Sequence, residues 1–247
     1  GDKYTDRELT GVAQQIGSKL VLTDTLTYKK DSVALYDGAF RIQKEDGKVI
    51  KVVDYPLYFR NVAKEKLPKE ESKIYTWSAN LSQSINPGWV ILLTPLVVAF
   101  FTFLRSRKKE PSTPTKIAFG LLISALSVLV MVAAVHIGNN GAEKVSVWWL
   151  VANYGVITIG ELFLSPMGLS VVSKLSPKNI TSLMMGGWFL ATSIGNKLSG
   201  VLASMWDSYE NKANFFWINF SLLLFATLLM FALVKELNKV MKEKGIN

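Results

Sequence analysis

Residues Val145–Val172 read VSVWWLVANYGVITIGELFLSPMGLSVV, a run in which Glu161 is the one charged residue. A bilayer core of about 30 Å is crossed by roughly 20 largely apolar helical residues. This run is long enough to cross and also to tilt or protrude. Four more stretches share its character: Gly88–Leu104, Ile117–Val135, Thr181–Met205 and Ala213–Val234, separated by short polar connections. Gly88–Leu104 is short, but its helix can begin near Trp77, because Ser82, Gln83, Ser84 and Asn86 are polar without being charged. The expected fold class is an all-α membrane protein of five transmembrane helices over residues 76–236, at about 77–105, 117–136, 145–173, 181–205 and 213–235, with a tail at 237–247.

Composition agrees. Of 247 residues, 49% are hydrophobic and 19% charged, and the mean hydropathy is +0.25. Residues 1–80 hold 14 Lys+Arg and 12 Asp+Glu, whereas residues 81–247 hold 14 and 7. The chain has no cysteine, which excludes disulfides and thiolate metal sites, and its single histidine leaves little for imidazole chemistry. A pI near 9.5 does not point to nucleic acid, because the basic residues flank apolar runs and do not gather on one water-facing surface. They follow the positive-inside rule instead. Arg105, Arg107, Lys108, Lys109, Lys116, Lys174, Lys178, Lys235, Lys239, Lys242 and Lys244 fall on one side, against Lys144 and Lys212 on the other. That imbalance puts the basic loops and the C-terminus in the cytoplasm and residues 1–75 outside. No cleavable apolar segment opens the chain, so a secretory signal is not expected.

The outer piece reads as a small, mostly β module. Thr5 with Glu8 fits the capping box of a short first helix. Leu20, Leu22, Leu26 and Tyr28 alternate irregularly, and Phe40, Ile42, Val49, Val52 and Val53 flank Glu45-Asp46-Gly47-Lys48, a hairpin signal. Lys64–Lys73, almost all charged or proline-containing, reads as a linker to the membrane.

Inside the spans a charge costs about 2.5–3.5 kcal/mol on insertion scales. Glu161 lies roughly 21 Å along its span, near mid-bilayer. Tyr154, Thr158, Glu161, Ser165 and Gly168 recur at intervals of four, three, four and three, which is one helix face. A polar stripe on an otherwise apolar helix should line a wet cavity or a protein contact. There an ionised carboxylate can hold an ammonium group or exchange a proton, or simply pair with a neighbouring helix. Pro166 removes the donor for the Leu162 carbonyl and should kink the helix beside that face. Lys197 is placed to snorkel outward. Gly187, Ala191, Gly195, Ser199 and Ala203 fall at four-residue intervals and suit a seam on which helices pack or slide. His136, without a second ligand or acid nearby in sequence, reads as an interface residue.

The segments Glu161-Leu162-Phe163-Leu164-Ser165-Pro166-Met167-Gly168-Leu169-Ser170, Lys174-Leu175-Ser176-Pro177 and Met184-Met185-Gly186-Gly187-Trp188-Phe189-Leu190 carry a resemblance, with Ser84-Ile85-Asn86-Pro87 and Gly195-Asn196-Lys197-Leu198-Ser199-Gly200. Together, over roughly Gln83–Val234, they resemble the C-terminal half of proton-coupled oligopeptide transporters of the major facilitator superfamily. The resemblance implies that the five spans are transmembrane helices eight to twelve of a major-facilitator-type bundle in a bacterial inner (plasma) membrane. It implies symport of dipeptides and tripeptides with protons by alternating access, without another cofactor. It places the peptide amino group at Glu161, with Ser165, Asn86, Trp188, Phe189 and Tyr154 around the substrate, and gives Pro166, Gly187, Gly195 and Ser199 packing or gating roles.

The chain departs from that pattern in two ways. It begins after the place of helix seven, so the missing N-terminal transmembrane bundle is an expected partner, as is the lipid bilayer. The outer module is larger than the usual loop before helix eight, although Thr5-Asp6-Arg7 resembles that loop's start. Two other readings stay open: a different major-facilitator carrier, and a membrane-anchored binding protein that acts through its outer module. An enzyme is not expected, because the spans offer no paired acids, HExxH motif or Ser–His pair, and neither catalytic nor metal-binding residues are assigned.

Overall fold

The computed structural model describes residues 5–9, 23–36, 42–60, 62 and 64–244. Leu20, Leu22 and Phe40 lie outside the described residues. The chain divides into two compact units, Gly1–Ile85 with Ala134–Trp149, and Asn86–Ala133 with Leu150–Asn247.

The first unit is built from short strand pairs. β1 (Thr5–Asp6) pairs in parallel with β8 (Val145–Ser146), whereas β2 (Thr23–Thr27) pairs antiparallel with β7 (Lys73–Trp77), Thr23 opposite Trp77. β3 (Asp31–Ala34) pairs with β6 (Lys51–Asp54), and β4 (Lys44–Glu45) with β5 (Lys48–Val49). The Asp46-Gly47 signal gives the β4–β5 hairpin, both turn residues taking positive φ, 49° and 76°. Such a two-residue turn matches the twist of its strands, and Gly and Asp accept that conformation. Among the described residues Tyr58, Phe59 and Ile74 form a core cluster, with Leu26, Tyr28, Tyr55, Val62 and Leu67 packed against it. The Tyr28 and Tyr55 rings stack at 4.4 Å.

Three expectations change here. Thr5 and Glu8 do not open a helix: Thr5–Asp6 is a strand and Glu8 bridges to Thr76, because partners distant in sequence outcompete a local cap. Lys64–Lys73 is not a free linker. It contains a short 3-10 turn at Lys64–Lys66, buries Leu67 against the core and ends at the start of β7, whose alternate residues Ile74 and Thr76 are buried. The first long helix does not begin near Trp77 either, since that residue closes β7 and a 3-10 turn, Ala79–Ser84, follows it.

Five long helices follow: α1 (Ile85–Ser106), α2 (Thr113–Ile137), α3 (Trp148–Leu175), α4 (Thr181–Ser204) and α5 (Lys212–Glu243). α1, α2, α3 and α5 are long and apolar enough to cross a membrane. α4 has the length, 24 residues, but its Gly, Ser and Thr residues with Asn196 and Lys197 leave it more polar. Local signals set several ends. Pro114 sits in the first turn of α2, where its missing N–H breaks no bond, and Asn211 caps α5 by accepting the Ala213 N–H at 2.9 Å. α1 and α3 continue through Pro95 and Pro166 without interruption.

In the second unit α2 and α3 cross with their backbones almost touching. A Cβ added at Gly160 would stand 2.8 Å from the Gly120 carbonyl oxygen, so a larger residue there would separate the helices. Phe101 of α1 packs on Phe163 of α3 at 4.8 Å, and Phe119 of α2 on Phe231 of α5 at 5.7 Å. The α1–α2 turn is closed by Glu110, which accepts from Arg105 at 2.7 Å and from Lys116 at 2.5 Å. Those two hydrogen bonds hold the Glu110 carboxyl down at about 2.

Lys144, between α2 and α3, stands 4.1 Å above the Tyr58 ring, and burial, with Arg7 adding repulsion and Asp6 partly offsetting it, pulls its ammonium down to about 8. The unfolded chain therefore holds this proton between about pH 8 and 10.5 while the folded one does not. Stability of the first unit rises with pH across that window and is lost as pH falls through about 8. The test is alkylation of a cysteine at the buried position 76 (Thr76→Cys). Relative to the same cysteine beside Lys144→Met, labelling slows between pH 8 and 10, whereas a constant ratio would contradict the assignment.

Candidate functional site

The polar stripe of α3 does not have one environment along its length. Thr158 is fully buried, and its hydroxyl lies 2.8 Å from Oδ1 of Asn86 on α1 and 2.6 Å from the Tyr154 carbonyl of its own helix. Earlier along α3, Trp89 of α1 donates its indole N–H to the Val151 carbonyl at 3.0 Å and lays its ring against Gly155. α1 thus covers the first part of the stripe. At the other end α4 covers Gly168: a Cβ added there would overlap the indole of Trp188.

Glu161 and Ser165 lie between these two contacts along α3, and both are exposed. Glu161 is 13 residues from Trp148 and 14 from Leu175, so it sits about 20 Å from either end of the helix. These two exposed members of the stripe are thereby framed by an Asn–Thr hydrogen bond and a Trp–Gly contact. Such a place can receive a charged group at Glu161 and offer it a hydroxyl one turn away.

Of the substrate residues expected from the sequence, Asn86 and Trp188 join α3 through Thr158 and Gly168. Tyr154 is half-buried one turn before Thr158, and Phe189 is exposed on α4. Pro166 is exposed, directly after Ser165. Gly187, Gly195 and Ser199 are exposed, and a Cβ added at either glycine meets nothing within 4 Å, so their line meets no helix among the described residues. Lys197 and His136 are exposed. The sequence reading missed Trp89, Gly155 and the covering roles of Thr158 and Gly168. A signal existed for Trp89, which stands three residues after Asn86 and therefore on the same side of α1.

A family model described as PTR2, the POT family, matches residues 70–218. The chain is 36% identical over 132 residues to dipeptide and tripeptide permease A of Proteus mirabilis, covering 53% of this chain and 26% of that protein. It is 40% identical over 121 residues to the peptide transporter YePEPT of Yersinia enterocolitica, covering 49% and 24%. The matched part of the chain thus spans about a quarter of the length of these relatives. Its fold resembles that of a crystallised peptide transporter POT in complex with sulfate, with a TM-score of 0.58 and 32% identity over 65% of this chain and 32% of that one. A POT family transporter in complex with a thioalcohol conjugated peptide gives a TM-score of 0.58 and 26% identity over 73% and 36%.

The Trp188–Gly168 contact gives a direct test. Gly168→Ala forces the indole aside and should cost about 1–3 kcal/mol, whereas in a Trp188→Ala background the same change should cost less than about 0.5 kcal/mol. Thermal unfolding of the four proteins in detergent measures the cycle. Equal penalties in both backgrounds would mean that the two residues do not touch.

Proposed function

The chain belongs to the POT family, and on that premise we propose that it is the C-terminal part of a proton-driven symporter that imports dipeptides and tripeptides. The supporting observation is the opening on α3, where Glu161 and Ser165 are exposed between the Asn86–Thr158 and Trp188–Gly168 contacts. Peptide sits against α1, α3 and α4. Its ammonium faces the Glu161 carboxylate, where a charge-assisted hydrogen bond away from bulk water is both strong and orienting. Ser165 and Asn86 supply hydrogen-bonding groups for the peptide backbone, and Tyr154, Trp188 and Phe189 supply walls for its side chains.

Coupling follows from charge. A carboxylate facing a low-dielectric cavity is costly when nothing accompanies it, so Glu161 is accompanied either by the peptide ammonium or by a proton. A proton taken up from the outer side by another group of the complete transporter and passed to Glu161 frees the peptide on the inner side and then leaves on that side, so both move inward and the proton is the coupling ion in place of any cofactor. The rest of the cavity belongs to an N-terminal bundle, against which the open line of Gly187, Gly195 and Ser199 packs and slides as the bundles rock in the bilayer. The basic loops and C-terminus face the cytoplasm and the strand-rich unit faces outward, in a bacterial inner membrane.

Glu161→Gln in the complete transporter keeps the side-chain size and removes the charge. Uptake of a labelled dipeptide into vesicles under an inward proton gradient should fall at least about tenfold, since a single charged hydrogen bond is worth about 1.5–3 kcal/mol. Competition with N-acetylated dipeptide separates ammonium recognition from general loss. The wild type should prefer the free amine and the variant should not, and unchanged uptake and preference would refute the role given to Glu161.

A further inference from the structure

Two adjacent residues at the start of the first unit are bonded to two distant points of the chain. Asp6 pairs with β8: its carbonyl accepts the Val147 N–H at 3.3 Å, and Thr5 and Asp6 stand in register with Val145 and Ser146. Val147 immediately precedes α3. Arg7 is tied to the end of β7. Its carbonyl accepts the Trp77 N–H at 2.7 Å, and its guanidinium donates to the Trp77 carbonyl. From Trp77 only Ser78 and the 3-10 turn Ala79–Ser84 separate the chain from α1. Asp6-Arg7 therefore bridges the segments that lead into α1 and α3, the helices that carry Asn86 and Glu161.

The bridge is held from a third direction. Tyr58 donates its hydroxyl to Asp6 Oδ1 at 2.8 Å and accepts the Arg7 N–H at 3.1 Å, while Lys144 stands over its ring. Arg7 is only 2% exposed and lies 3.9 Å from Asp24. A guanidinium is left in such a place only when its partners are fixed around it, because burying it without them is very costly. Strand pairing, a buried cation and a tyrosine relay thus converge on two residues, and both ends of the bridge are backbone atoms.

We propose that Asp6-Arg7 is a staple that keeps the starts of α1 and α3 at one separation throughout the transport cycle. The first residues of the two helices then keep their spacing while the bundles rock. The part of this inference that concerns transport rests on the function proposed above. The staple itself does not.

Two measurements on the complete transporter test it. Spin labels at Ser84 and Trp148, both exposed and both beside a helix start, report the separation. The wild type should give one narrow distance, and Arg7→Gln should broaden it and lower uptake of a labelled dipeptide at least fivefold. Should Arg7→Gln not fold, Arg7→Lys keeps the charge but lacks the planar fork and should broaden the distance likewise. A disulfide between Thr5→Cys and Val145→Cys, formed by oxidation, should leave dipeptide uptake within twofold of the reduced protein, because the pair never separates. Uptake abolished by oxidation and restored by reductant would show that the strands part during transport and would overturn the staple, as would an unchanged distance in both Arg7 variants. If the wild type takes up no dipeptide, the proposed function fails, and the spin-label distances still decide the staple.

Discussion

A carboxylate halfway along an apolar helix cannot be left against hydrocarbon, and much of this chain is arranged around that constraint. Glu161 stands about 20 Å from either end of α3. Polar residues recur on its side of the helix; Thr158 and Gly168 are buried there and Tyr154 is half-buried, whereas Glu161 and Ser165 are exposed. Asn86 reaches in from α1 to Thr158, Trp89 holds α1 against Val151 and Gly155, and Trp188 closes over Gly168 from α4. The same contacts that would be needed to bury a structural glutamate stop short of this one.

The small unit before the helices has a matching logic. Among the described residues its core cluster holds Tyr58, Phe59 and Ile74 with a few partly buried neighbours. It gains definition from polar links around Tyr58, Asp6 and Arg7, and those links join segments that run directly into α1 and α3. Lys144 lies beside the same cluster, and burial first, then repulsion from Arg7, lowers its pKa.

Legibility was uneven for identifiable reasons. The long helices were readable because hydropathy over some 20 residues is a local property that a bilayer reads directly. The Asp46-Gly47 hairpin was readable because its turn chemistry is confined to two residues. The Thr5–Glu8 cap and the Lys64–Lys73 linker are not legible locally, because the first is decided by partners 68 and 140 residues away and the second by a core that local composition does not reveal. α4 shows the opposite difficulty: its small and polar residues keep it from being apolar enough over a spanning stretch, although it has the length to span.

By itself the sequence determined that five long helices follow a polar module, that Glu161 and Ser165 share a face, and that Trp188 and Asn86 come from different helices. All of these depend on periodicity and local composition. Only the tertiary structure decided which members of the polar stripe are covered, since Thr158 and Glu161 are three residues apart on similar faces and differ solely in whether α1 reaches them. Only the tertiary structure, likewise, joined Asp6 to Val147 and Arg7 to Trp77. Such pairings close loops of about 70 and 140 residues and are stabilised by burial and strand pairing after the chain has folded, so no local pattern announces them.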